Sequence, residues 1–129
     1  MIVDASAVLA IVLGEDEGPD FLGRIIAYPR PKMSVINWME VAIRVERQGV
    51  PDSIVAFDSL VEELGLALIP ADQEQGLIAR RAYRLYGKGS GHAAQLNLGD
   101  CFAYALAIRM GEPLLFKGAD FAHTDVMRV

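Results

Sequence analysis

Met1-Ile2-Val3-Asp4-Ala5-Ser6-Ala7-Val8-Leu9-Ala10-Ile11-Val12-Leu13 decides how the rest of the chain is read. A short apolar run ends on an acid, and a segment rich in Ala, Leu, Ile and Val then continues to Gly14, a residue type that stops helices. The spacing predicts a buried strand feeding a helix, with a carboxylate at the junction. The same alternation recurs downstream. Asp16 to Ile26 reads as a helix that Pro29 and Pro31 close. Met33-Ser34-Val35 reads as a second strand, and Trp38, Val41, Ala42 and Val45 follow at helical spacing until Gly49 and Pro51. Asp52 opens another helix, Leu66 to Ile69 makes a third strand, and Asp72 to Tyr86 is helical. A glycine-rich loop then leads to a helix opened by Gly99-Asp100, a fourth strand at Pro113 to Phe116, and a short tail. Short strands that are apolar throughout, alternating with helices, predict a parallel α/β sheet covered on both faces.

The chain has 129 residues, enough for one domain spanning 1–129, and no repeat or low-complexity tract divides it. Hydrophobic residues make up 53%, which excludes an intrinsically disordered chain. One Cys excludes an internal disulfide framework and a four-Cys zinc site, and fits a reducing, cytoplasmic setting. Asp4 stands where a signal peptide would be basic, and the run Ala7 to Leu13 is far short of the roughly 20 residues a bilayer needs, so no membrane association is expected. The formal net charge is −5, from 17 acids against 12 Lys and Arg, which argues against a generic nucleic-acid-coating protein.

The placement of the acids carries the chemistry. In open parallel sheets, ligands bind outside the carboxyl ends of the strands. Asp4 ends the first strand and Asp120 follows the fourth near that edge, while Glu40 lies on the helix after the second strand and Asp100 in the first turn of its own helix, so only a fold could bring the four together. Hard cations such as Mg²⁺ and Mn²⁺ take carboxylate and water oxygens, with no need for His or Cys. Acids at helix starts also serve the helix dipole, and that plainer reading stands beside the metal-site one.

The wording of four segments is more specific. Met-Ile-Val-Asp4-Ala-Ser6-Ala resembles the opening of PIN-domain ribonucleases, in particular the VapC toxins of type II toxin–antitoxin modules. Asn37-Trp38-Met39-Glu40-Val41 resembles the second acidic motif of that family. Tyr86-Gly87-Lys88-Gly89 with Leu96-Asn97-Leu98-Gly99-Asp100-Cys101-Phe102-Ala103-Tyr104-Ala105-Leu106-Ala107 resembles the third, and Pro113 to Phe121 with Thr124-Asp125 the fourth. The resemblance implies a three-layer α/β/α sandwich with a short, mostly parallel central sheet. It also implies a Mg²⁺- or Mn²⁺-dependent endoribonuclease whose metal-site acids are Asp4, Glu40, Asp100 and Asp120. Products with a 5′-phosphate and a 3′-hydroxyl, a homodimer, and a VapB-like antitoxin that binds the apolar surfaces of the first two helices follow from the same likeness. In the fourth motif this chain departs from the pattern: Gly118 and Ala119 stand where many relatives carry acids, and Asp125 is an alternative outer acid.

Other residues have two readings each. Ser6 fits either a hydrogen bond to a metal-site carboxylate or a helix cap. Lys88, Lys117 and Arg84 suit contacts to an RNA backbone, whereas Arg80 suits a solvated helix face. His92 in its Gly-rich loop and His123 near Asp120 are compatible with phosphate contact or with plain exposure. Cys101, Trp38 and Tyr104 are expected in the core. Two rival functions bear on this reading: a PIN-like module that binds RNA or protein without cutting, and a phosphotransfer protein. The second lacks its residues, since Ser6 replaces the acid expected two positions after Asp4 and Pro70 ends the third strand.

Overall fold

A computed structural model describes residues 1–129. The first strand, β1 (Ile2–Val3), is followed by α1 (Ala5–Val12), α2 (Gly18–Ala27), β2 (Lys32–Ser34), α3 (Val35–Gln48) and α4 (Pro51–Glu63). Then come β3 (Ala67–Ile69), α5 (Gln73–Tyr86), α6 (Leu98–Met110), β4 (Leu114–Leu115) and a short 3-10 helix at Asp120–His123. All strand pairings are parallel, in the order β3-β2-β1-β4, so β1 is central with β2 and β4 on its sides.

Two apolar cores form because successive residues of a strand point to opposite faces. Met1, Val3, Met33 and Leu115 join Val8, Phe21, Ile25, Val41, Val45 and Phe57 on the side of α1 to α4. Ile2 and Leu114 point the other way, into a core with Ala79, Ala82, Leu96, Leu106 and Phe121 from α5, the α5–α6 loop, α6 and the C-terminal segment. The result is helix layers on both faces of a four-stranded sheet, the three-layer α/β/α arrangement.

The helix ends differ from the sequence reading in ways that matter for the site. α3 starts directly after β2, capped by Ser34, whose hydroxyl accepts from Ile36 N at 3.2 Å. α6 starts one residue before Gly99 because Asn97 caps it. The tail is not loose: the chain after the 3-10 helix returns beside β4, where Leu114 and Arg128 form an isolated parallel bridge. No helix is long and apolar enough to cross a membrane.

Candidate metal-dependent nuclease site

The carboxyl edge of the sheet is where chain direction and local capping deliver the acids. Asp4 is the residue between β1 and α1. Its extended backbone and short carboxylate make it the N-cap, and Oδ2 accepts from Ser6 N at 2.9 Å. The Ser6 hydroxyl donates to the same oxygen at 2.6 Å and accepts from Lys117 N at 2.9 Å, which ties the end of β1 to the loop after β4. Of the two readings of Ser6, the structure shows the contact to the candidate carboxylate; the helix cap is Asp4 itself, and the Ser6 hydroxyl takes no amide of α1. Asp4 itself is only 3% exposed.

Asp100 is in the first turn of α6, inside a reciprocal capping box. Asn97 Oδ1 accepts from Asp100 N at 2.9 Å, and Asp100 Oδ2 accepts from Asn97 N at 3.0 Å. Glu40 comes from α3, a different helix from those of Asp4 and Asp100, and reaches across to the start of α6. A Cβ placed on Gly99 would fall directly on the Glu40 carboxyl group, so this position is open only because it is glycine. Asn37, one turn before Glu40, donates from Nδ2 to Glu40 Oε2 at 2.9 Å and to the Gly99 carbonyl at 3.0 Å, with Asp4 Oδ1 at 3.5 Å.

The electrostatics agree with this proximity. Burial pushes Asp100 up to about 7, with Asp4, Glu40 and Asp120 adding like-charge repulsion against the hydrogen bond from Asn97. Burial likewise raises Asp4, with Asp120 contributing, and raises Glu40, with Asp4 contributing. Asp120, at the start of the 3-10 helix, is therefore the fourth acid felt by this group. None of the four has a basic partner within salt-bridge distance.

The carboxylates are neighbours, not a converged cage of three or more ligands. Asp4 is turned onto Ser6, Glu40 onto Asn37 and Asp100 onto its capping box. What the site offers is an oxygen-only donor set without any internal cation, with Asp4 buried, Glu40 and Asp100 half-buried and Asp120 exposed at its rim. Buried carboxylates in that condition take up either protons or a hard divalent ion. The donor chemistry fits Mg²⁺ or Mn²⁺ and does not fit a soft metal, since Cys101 faces the core with its thiol pushed up to about 11 by burial.

A family comparison decides the class. The PIN domain matches residues 1–127. The chain belongs to the PIN domain family. Among its relatives, Ribonuclease VapC42 of Mycobacterium tuberculosis is 44% identical over 126 residues, covering 98% of this chain and 96% of the relative. Ribonuclease VapC28 of the same species is 42% identical over 99% of this chain and 96% of its own length. Ribonuclease VapC of Mycolicibacterium smegmatis is 43% identical over 100% and 99%. The fold is also shared with a toxin–antitoxin complex from Klebsiella pneumoniae, at a TM-score of 0.76 and 18% identity over 99% of this chain and 95% of that one. Within the PIN domain family the chain is a VapC ribonuclease relative along its whole length.

The remaining sequence candidates fall in three places. Asp125 lies apart from the four acids' network: it accepts from Tyr104 Oη at 2.7 Å, with Tyr86 Oη at 3.5 Å. Lys117 does not join the cations of α5, because its ammonium pairs with Glu15 and, at 3.3 Å, with Glu17 on the α1–α2 loop. Arg80, Arg81, Arg84 and Lys88 are exposed and form no ion pairs. His92 packs edge-on against Tyr86, its Nδ1 accepting from Ala94 N at 3.1 Å, and His123 is exposed. Sequence reasoning missed Asn37, Gly99 and Asn97. Only Asn97 left a readable signal, the cap spacing Asn-x-x-Asp.

Proposed function

We propose that this PIN-domain chain is the toxin endoribonuclease of a VapBC-type pair and cuts RNA with Mg²⁺ or Mn²⁺ held by Asp4, Glu40, Asp100 and Asp120. One observation carries the reading: four acids from distant parts of the chain meet at the carboxyl edge of the sheet with no basic partner. When bound, the ion lowers the pKa of a water for attack on the phosphodiester and neutralises charge developing on phosphate oxygen. The chain's own residues supply placement. Ser6 holds Asp4, the Asn97 cap holds Asp100, and Gly99 leaves room for Glu40. Arg84 and Lys88, unpaired at the end of α5, suit the RNA backbone.

The charge balance supports this division of labour. Taking the four acids from the 17 leaves 13 against 12 bases, so most of the −5 belongs to one site. RNA binding then depends on the bound ion and a local basic patch, not on the overall field. The partner is a VapB-like antitoxin, in keeping with the toxin–antitoxin complex that shares the fold. Exposed Ile26 on α2 and Val55 on α4 give it apolar contacts. A homodimer acting in the cytoplasm completes the proposal. The test is cleavage of RNA with Mg²⁺ by the wild type, by Asp4→Asn, and by the wild type with chelator. Loss in the last two supports the reading, and equal activity in all three overturns it.

A further inference from the structure

Three carboxylates that must work together are carried here on three separate elements, and one neutral side chain touches two of them and the backbone beside the third. Asn37 is completely buried, with no exposed surface. Its Nδ2 faces Glu40 Oε2 at 2.9 Å, the Gly99 carbonyl at 3.0 Å and Asp4 Oδ1 at 3.5 Å. All three are acceptors, so the amide has one tenable orientation: turned over, its own oxygen would meet two carboxylates and a carbonyl. On its opposite face Asn37 Oδ1 has no hydrogen-bond partner. A buried polar atom left unpaired is a cost that a side chain chosen for stability alone would avoid.

The partners show what that cost secures. Asn37 sits three residues before Glu40 on α3, so the two side chains share a helix face. Its bond to Glu40 draws the long carboxylate side chain off its many solvent rotamers toward the start of α6. Its bond to Gly99 holds the residue immediately before Asp100. The longer contact to Asp4 brings the end of β1 into the same group. Ser6 and Asn97 act on one acid each, whereas Asn37 alone joins all three elements.

We propose that Asn37 is a positioning residue for the nuclease site, aiming Glu40 and seating the first turn of α6, which carries Asp100, against Asp4. This rests on the nuclease reading above, and its test is built to separate the two. In metal-free protein, Asn37→Ala and the less disruptive Asn37→Ser are compared with wild type by amide hydrogen exchange over residues 97–101. Exchange there is expected to quicken while the cores of α3 and β1 keep their protection. Mn²⁺ titration in the absence of RNA is expected to weaken on the order of 10–100-fold, the usual effect of removing a group that orients a ligand. RNA cleavage should lose kcat, with KM close to wild type. In a Glu40→Gln background, Asn37→Ala should cost less than it does in wild type, because the share acting through Glu40 is already lost while the seating of α6 is not.

Unchanged exchange over 97–101 in both variants overturns the proposal, and so does a fully additive loss with Glu40→Gln. If wild type binds no Mn²⁺ and cuts no RNA, the nuclease reading fails, while the exchange result still decides whether Asn37 seats α6.

Discussion

Tyr104 donates its phenol to the Asp125 carboxylate at 2.7 Å, and this bond separates two acids that look alike in sequence. Tyr86 approaches the same carboxylate, and its ring lies 5.8 Å from that of Tyr104. Asp125 thereby fastens the C-terminal segment to the end of α5 and the middle of α6. Asp120, five residues earlier, adds like-charge repulsion to the burial that raises Asp4 and Asp100.

The two acids should therefore separate by mutation. Asp120→Asn is expected to lower Mg²⁺-dependent cleavage on the order of 10–100-fold with little change in Tm. Asp125→Asn should instead destabilise by about 1 kcal/mol, the worth of a partly exposed hydrogen bond, and Tyr104→Phe should match it. Initial rates beside thermal melts check both. Equal loss of cleavage in Asp120→Asn and Asp125→Asn would return Asp125 to the site.

Gly99 and Gly76 offer a matched pair. Both lie within helices, and Ala normally gains up to about 1 kcal/mol over Gly there. A Cβ on Gly76 meets open space, so Gly76→Ala should stabilise by that order and leave cleavage intact. A Cβ on Gly99 lands on the Glu40 carboxyl group, which must swing away. Gly99→Ala is expected to fold yet lose most of its cleavage, and to bind Mn²⁺ more weakly. Denaturant titration and RNA cleavage read the two variants side by side.

Ser6 is worth testing for its double bond to the network. Its hydroxyl serves Asp4 at 2.6 Å and Lys117 N at 2.9 Å, so Ser6→Ala leaves a buried carboxylate oxygen and a backbone donor short of partners. The expected cost is about 1–3 kcal/mol. A shift of the denaturation midpoint at unchanged m-value would measure it. Cleavage should fall as well, because Asp4 loses its orientation.

How far the sequence alone led can be judged residue by residue. The parallel layered fold was readable because Met1-Ile2-Val3, Met33 and Leu114-Leu115 are apolar on both faces, as only a covered strand requires. Asp4 and Asp100 were readable as helix-start acids from local spacing, but as members of one group only from the motif resemblance, since an acid there equally serves the backbone amides. Asn37 was not, since an amide three residues before a glutamate looks like any polar position on a helix until α6 is packed against it. Tyr104 reads as core, and its ring is buried, but its hydroxyl finds Asp125 from a tail whose return beside β4 has no local signature. Lys117 suits an RNA contact by sequence, but its ammonium pairs with Glu15 and Glu17 of the α1–α2 loop, about a hundred residues away in sequence.

The raised carboxyls make a pH prediction whose direction is fixed. Asp100 titrates at about 7 when folded, well above its value of 3.8 in an unstructured chain, and Asp4 and Glu40 move the same way. Between those values the folded state holds protons that the unfolded state has released, so stability falls as pH rises. Glu17, lowered by a backbone hydrogen bond and then by Lys117, and Glu112, lowered against its burial by Lys32 and the N-terminal amine, act in the opposite sense, but their effect is confined below the ordinary carboxylate range. From about pH 5 to about pH 7.5 the acid cluster governs, and the Tm of metal-free protein is expected to decline across that window. Asp100→Asn should flatten part of the decline, as it removes one of the three raised carboxyls. Added Mg²⁺ or Mn²⁺ should raise Tm more at pH 7.5 than at pH 5, since the ion competes with protons for the same oxygens and stabilises only the state that binds it. A Tm that rises over this window without metal, or an ion effect independent of pH, would show that these three acids do not share one site.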